Sequence, residues 1–108
     1  ATHGVAAGRI GWPRLAELTS SNPARIFGLA RKGTLKEGMD ADVVIYDPSV
    51  ETTIRADRLH NLSGYTPYEG MTVRGAVRDV FVRGRQLVQE GAFHPAPGWG
   101  KYTPAQMR

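Results

Sequence analysis

Cysteine is absent from the 108 residues. That excludes a disulfide framework and a thiolate zinc site, and it fits a reducing, cytoplasmic compartment. No apolar run approaches the ~18 residues that span a bilayer, and the N-terminus carries no basic-then-apolar leader pattern. Histidine is scarce: His3, His60 and His94 lie far apart in loops or ends, with no His-x-His pair. There is no Gly-x-Ser-x-Gly elbow and no Walker-type phosphate loop. Ser63 has no partner pattern, and His60 near Tyr65 reads as a surface or capping residue rather than half of a nucleophilic site. Lys32, Lys36 and Lys101 fall in turn or tail contexts. No residue is therefore assigned a catalytic, cofactor-binding or metal-ligating role.

What remains is ordinary for a soluble globular protein: 41% apolar and 22% charged residues, with 13 glycines and 7 prolines that make the chain rich in turns. The length suits one small domain or a piece of a larger one. The net charge of +4 comes from 14 basic and 10 acidic residues. The arginines are scattered, with only Arg83-x-Arg85 and Arg31-Lys32 close together, so a solvated surface is the better reading than a nucleic-acid footprint. An independent basic β-module that binds nucleic acid or another partner is the competing class.

Gly33 to Pro48 is the most structured stretch. Gly33 and Gly38 mark positions that need positive φ. Val43, Val44, Ile45 and Tyr46 form a strand, and Asp47-Pro48 is expected to end it, since proline cannot donate to a ladder. Asp40 and Asp42 stand at its entrance and are read as turn carboxylates accepting nearby backbone N–H groups, not as metal ligands. Upstream, residues 1–11 look like the end of something. Two short helices follow, one opening at Trp12-Pro13 with Leu15, Leu18 and Thr19 on one face. The other is capped by Ser20, Ser21 and Asn22, with Pro23 in its first turn, Ile26 and Phe27 buried, and Gly28 as the stop. Downstream, Val50 to Arg55 reads as a strand and Ala56 to Leu59 as one helical turn. His60 to Met71 is a long loop pinned by Tyr65 and Tyr68. Thr72 to Ala76, Val77 to Arg83 and Arg85 to Gln89 read as strands, with a tight turn signalled at Gly84-Arg85. The tail from Ala92, with prolines at 95, 97 and 104, is too proline-rich for regular structure of any length.

Gly-x-Leu-x-x-Gly-x-x-Ala-Asp-x-Val over residues 33–44, running into Asp47-Pro48, resembles the C-terminal region of the amidohydrolase superfamily. Residues 19–29 resemble that family's last barrel helices. Gly-Tyr-Thr-Pro-Tyr-Glu-Gly-Met over 64–71 looks like the hydantoinase and dihydropyrimidinase signature, its Thr-Pro-Tyr portion recurring in allantoinase-like relatives. Residues 82–93 match the family's closing hairpin, and Gly98 to Tyr102 its tail. The resemblance implies an α+β piece. Residues 1–30 would be the terminal helices of a (β/α)8 barrel, 31–91 a β-sandwich portion with a closing hairpin, and 92–108 an extended tail that reaches over a neighbouring subunit or folds back on its own sandwich. It implies a parent enzyme that opens hydantoin or dihydropyrimidine rings with two divalent metal ions, usually zinc, bridged by a carboxylated lysine. Those ligands would lie outside these residues. A non-catalytic dihydropyrimidinase-like scaffold and an allantoinase are the alternatives. The implied partners are the rest of the parent chain or another subunit of a homo-oligomer, and a small cyclic amide; neither nucleic acid nor membrane is expected. With sandwich strands missing, the edge at Val43 to Tyr46 and the apolar helix faces should lack partners, which invites self-association.

Overall fold

The computed structural model describes residues 1–106; residues 107 and 108, the end of the expected tail, lie outside it. Its centre is one antiparallel sheet in the order β1-β2-β3-β4. The strands are β1 (Val43–Thr53), β2 (Thr72–Val82), β3 (Arg85–Gln89) and β4 (Ala92–Phe93). Two helical segments precede it, α1 (Trp12–Ala16) and α2 (Asn22–Ile26). The architecture is α+β, as expected, with a single sheet among the described residues.

Pro48 does not end β1. The strand continues to Thr53 and absorbs the segment expected as a separate strand from Val50. Register passes from Asp47↔Ala76 to Glu51↔Arg74, so residues 48–50 stand opposite Gly75 alone. A proline is tolerated at such a bulge because the ladder is already interrupted there. Asp47 does make a turn: its Oδ1 accepts Ser49 N at 2.8 Å and Ser49 Oγ at 2.6 Å, but the turn lies inside the strand. Opposite it, Gly75 has φ of 96° and the Tyr46 ring lies where a Cβ would stand, with Oη 1.9 Å from that position. β2 likewise runs through Gly75 without the expected break between Ala76 and Val77.

The two helices are not separately capped. α1 passes into α2 through a wide turn over Glu17–Ser21, and Ser21 is helical at φ −70° and ψ −37° with no side-chain cap bond. Pro23 has no N–H to return to the preceding turn. The wide turn accommodates it by sending the Asn22 N–H to Glu17 O. Gly28 does stop the run: Leu29 N donates to Ala24 O at 2.8 Å and Gly28 N to Arg25 O at 3.4 Å, a Schellman closure.

Ile26 and Phe27, expected inside, are 69% and 67% exposed. The covered helical residue is Ala24, the single buried apolar side chain among the described residues, because the linker crosses there at Gly33. The whole chain exposes 8415 Å², whereas a compact monomer of this mass exposes about 5,900 Å². The radius of gyration is 15.6 Å, against about 13 Å for a compact domain of this length.

The hairpins follow backbone chirality. Arg83 and Gly84, at φ 46° and 79°, are the two central residues joining β2 to β3. The turn therefore sits one residue earlier than Gly84-Arg85, because Arg85 pairs with Val82. Glu90 and Gly91, at 48° and 78°, repeat the device and add β4, so the sheet continues past the boundary expected at residue 91. A 3₁₀ turn forms at Ala56–Arg58 as expected. The loop after it is closed differently from expectation, since Tyr65 and Tyr68 are largely exposed. Glu69 Oε2 accepts Ala56 N at 2.7 Å, while Ile54 N and O pair with Met71 O and Gly70 N, both at 2.9 Å.

Candidate functional site

The three imidazoles do not meet. His3 sits in the N-terminal turn Thr2–Ala6, beside an open groove of about 470 Å³ that Tyr46, Met71 and Arg74 also line, with no carboxylate among its walls. The His60 ring stands 6.0 Å from the Phe93 ring, and His94 contributes its backbone N–H to Leu87 O. Ser63 Oγ donates to Tyr65 O at 3.0 Å, a local loop bond. Lys36 and Lys101 are exposed. Among the described residues no three His, Asp or Glu side chains converge where a metal ion could be held.

Polar groups do converge at the entrance to β1. Lys32 Nζ bridges Asp40 Oδ2 at 3.0 Å and Asp42 Oδ2 at 2.5 Å, and Arg31 adds a 3.1 Å contact to Asp40. The two aspartates are thus ion-pair partners more than turn carboxylates. The one backbone N–H that Asp42 accepts comes from distant Arg83, at 2.8 Å. Hydrogen bonding to Asp42 raises the Lys32 pKa, and the Lys32 ammonium lowers that of Asp40. For Asp42, desolvation pulls upward, but the Lys32 and Arg83 donors outweigh it and the net shift is downward.

The same hairpin holds the tail. The Trp99 indole N–H donates to Val82 O at 2.8 Å, and the Arg83 and Arg85 guanidiniums lie 4.8 and 5.3 Å from the indole centroid. Arg83 also donates to the Trp99 carbonyl. Further along, Gln106 N donates to Gly28 O at 2.8 Å. In this chain the tail folds back on its own sheet.

A second carboxylate escaped the sequence reading. Asp79 is 5% exposed in the middle of β2. Its oxygens accept Arg78 Nε at 2.7 Å, Gln86 Nε2 at 3.0 Å and the Glu90 N–H at 3.1 Å. Arg78 first and the Glu90 N–H second hold its pKa low. The visible signal was an acid inside an apolar run, Val77 to Val82. The group ties β2 to the β3–β4 turn and leaves no oxygen aimed at a ligand.

The broadest feature is apolar. Cross-strand partners share a face, and the register Val44↔Val80↔Val88↔Phe93 lays one row across all four strands. Its ends, Val44 and Phe93, are 60% and 56% exposed. β1 pairs with β2 alone, so its other edge is open. This surface can pack or pair with protein; it offers no chemistry.

The amidohydrolase family model matches residues 3–87. The chain is 40% identical over 100 residues to a D-hydantoinase of Ralstonia pickettii, covering 92% of this chain and 22% of that protein. It is 43% identical over 101 residues to a D-hydantoinase of Streptomyces coelicolor, covering 93% and 22%. The solved structure of the L-hydantoinase (dihydropyrimidinase) from Arthrobacter aurescens superposes with a TM-score of 0.89 at 36% identity, over 95% of this chain and 23% of that one. The chain spans about a fifth of the length of these relatives.

Proposed function

The chain belongs to the amidohydrolase family, and from that premise we propose that it is the C-terminal part of a cyclic amidohydrolase of the hydantoinase and dihydropyrimidinase kind. Likeness to hydantoinases along more than nine-tenths of the chain carries this reading. The parent would hydrolyse the ring C–N amide bond of a hydantoin or dihydropyrimidine. Such hydrolysis calls for an activated water and a polarised carbonyl. The described residues do not fit that task, because their donors are scattered or already spent in ion pairs. Two divalent metal ions, zinc in this reading, and their bridging carboxylated lysine would be held elsewhere in the parent, a cytoplasmic homo-oligomer.

This part would supply scaffold and subunit contact. Residues 1–30 would close the barrel and 31–91 form one layer of a sandwich. A sheet with an apolar face is stable when a second layer covers it, and the Val44 to Phe93 row with the open β1 edge is the surface such a layer would take. The surplus exposure, about 2,500 Å² over a compact monomer, exceeds the roughly 800 Å² per partner of a standard interface. The test is to express the parent reading frame and follow ring opening of hydantoin and a dihydropyrimidine with and without a chelator. Chelator-sensitive turnover by the parent, and none by the 108-residue chain, is expected. Turnover by the chain alone would overturn the assignment, and a parent inert to both rings would place it with one of the two alternatives, the non-catalytic scaffold or the allantoinase.

A further inference from the structure

The β2–β3 turn is gripped from two sides. On one side Arg83 N donates to Asp42 Oδ1 at 2.8 Å and Gly84 N to Ala41 O at 2.9 Å. On the other, Val82 O accepts the Trp99 indole, and the Arg83 side chain lies over that ring. Arg83 is the shared part. It is a non-glycine residue at φ 46°, a conformation that L side chains take up only when their surroundings impose it. The two-residue turn between Val82 and Arg85 requires it, and the two bonds to the linker hold that turn in place, which presents the guanidinium to the indole and to the Trp99 carbonyl.

We infer that the tail is a strap whose docking on its own hairpin is set by Asp42: the Lys32–Asp42 clasp holds the Arg83–Gly84 turn in the conformation that receives Trp99. Asp42 is a positioning residue here, since it touches the turn and not the tail. Losing its acceptor loosens the turn against the linker, withdraws the guanidinium from the indole and frees the stretch around Trp99, up to the Gln106–Gly28 bond, for contacts outside this chain. The inference does not depend on what the parent catalyses.

Indole hydrogen exchange in the 108-residue chain reads the docked state directly. The Trp99 indole has an acceptor in Val82 O, and the ladder amides between β1 and β2 at Val44 and Val80 are the internal control. Asp42→Ala should lower Trp99 protection by about tenfold or more, the loss of one hydrogen bond to a charged acceptor, with the ladder amides unchanged. Arg83→Gly keeps a residue suited to the turn and removes the guanidinium, and should release Trp99 in the same way. Should Asp42→Ala unprotect the strand amides as well, Asp42→Leu, which keeps the volume and drops the acceptor, decides the matter by releasing Trp99 alone. Unchanged Trp99 protection in Asp42→Ala, or in Asp42→Leu where that variant decides, would overturn the proposal.

Discussion

Gly75→Ala is the substitution for which the structure makes the sharpest demand. A Cβ there would stand 1.9 Å from Tyr46 Oη and 2.3 Å from Cζ, so the ring must leave. Tyr46 would lose the bond it donates to Arg74 O at 2.9 Å, worth about 1 kcal/mol net. It would also lose its tilted packing on Trp12, worth about 1 kcal/mol beyond area. Alanine at φ 96° adds a backbone cost of about 1–2 kcal/mol. The expected loss is therefore about 3–4 kcal/mol, a large share of the reserve of any small domain. Urea unfolding followed by near-UV circular dichroism, where the Trp12–Tyr46 pair reports, measures it at fixed protein concentration so that association does not intrude. Tyr46→Phe should cost only about 1 kcal/mol, the hydrogen bond alone. On a Tyr46→Ala background Gly75→Ala should cost only the backbone part, about 1–2 kcal/mol, leaving a coupling of about 2 kcal/mol. A Gly75→Ala chain within about 1 kcal/mol of the parent, or an equal penalty with and without Tyr46, would refute the reasoning.

The clasp at the β1 entrance makes stability depend on pH at both extremes. Asp40 and Asp42 are shifted down from 3.8, so their contribution is present above that value and lost as pH falls through the lower folded values. Lys32 is shifted up from 10.5, so its contribution holds below that value and fades as pH rises through the higher folded one. Melting temperature should be flat through neutrality and fall at both ends, and the triple variant Asp40→Asn, Asp42→Asn, Lys32→Met should flatten the curve. Val44→Lys and Phe93→Lys, at the two ends of the apolar row, should shift the 108-residue chain toward monomer in sedimentation equilibrium while lowering assembly of the parent. Unchanged association in both variants would show that the row is not the contact.

Local chemistry was legible where its partner is also local. The β-branched run at Val43, the positive φ of Gly33 and Gly38, the 3₁₀ turn at Ala56 and the closing hairpin needed only neighbours in the chain. Misreadings arose where a distant partner decided. Pro48 signals a strand end unless the facing strand supplies a bulge at Gly75. Pro23 looks the same at a helix start and after a wide turn, and only the Asn22 bond to Glu17 O separates the two. For Trp99 the sequence leaves two places open, a neighbouring subunit or its own sandwich, and the contact seen in this chain is with the hairpin sixteen residues away at Arg83. Ile26 and Phe27 read as buried because they are large and apolar beside a helix end, but among the described residues no segment covers them and they stay 69% and 67% exposed.

That last point bears on how order and burial divide here. Backbone bonds, two primed turns and the Asp79 and Asp42 carboxylates define the sheet without a core of its own. These are directional interactions with net worth near 1 kcal/mol each. The larger, non-directional term scales with apolar area removed from water, and along the Val44 to Phe93 row and at Ile26 and Phe27 this chain leaves much of that area in water. Shape is thus specified internally, while much of the hydrophobic stabilisation open to these faces is not realised within the described residues. A catalytic module has to hold reacting groups rigidly around a closed site; in the proposed function, a surface arranged this way would instead hold other segments in place.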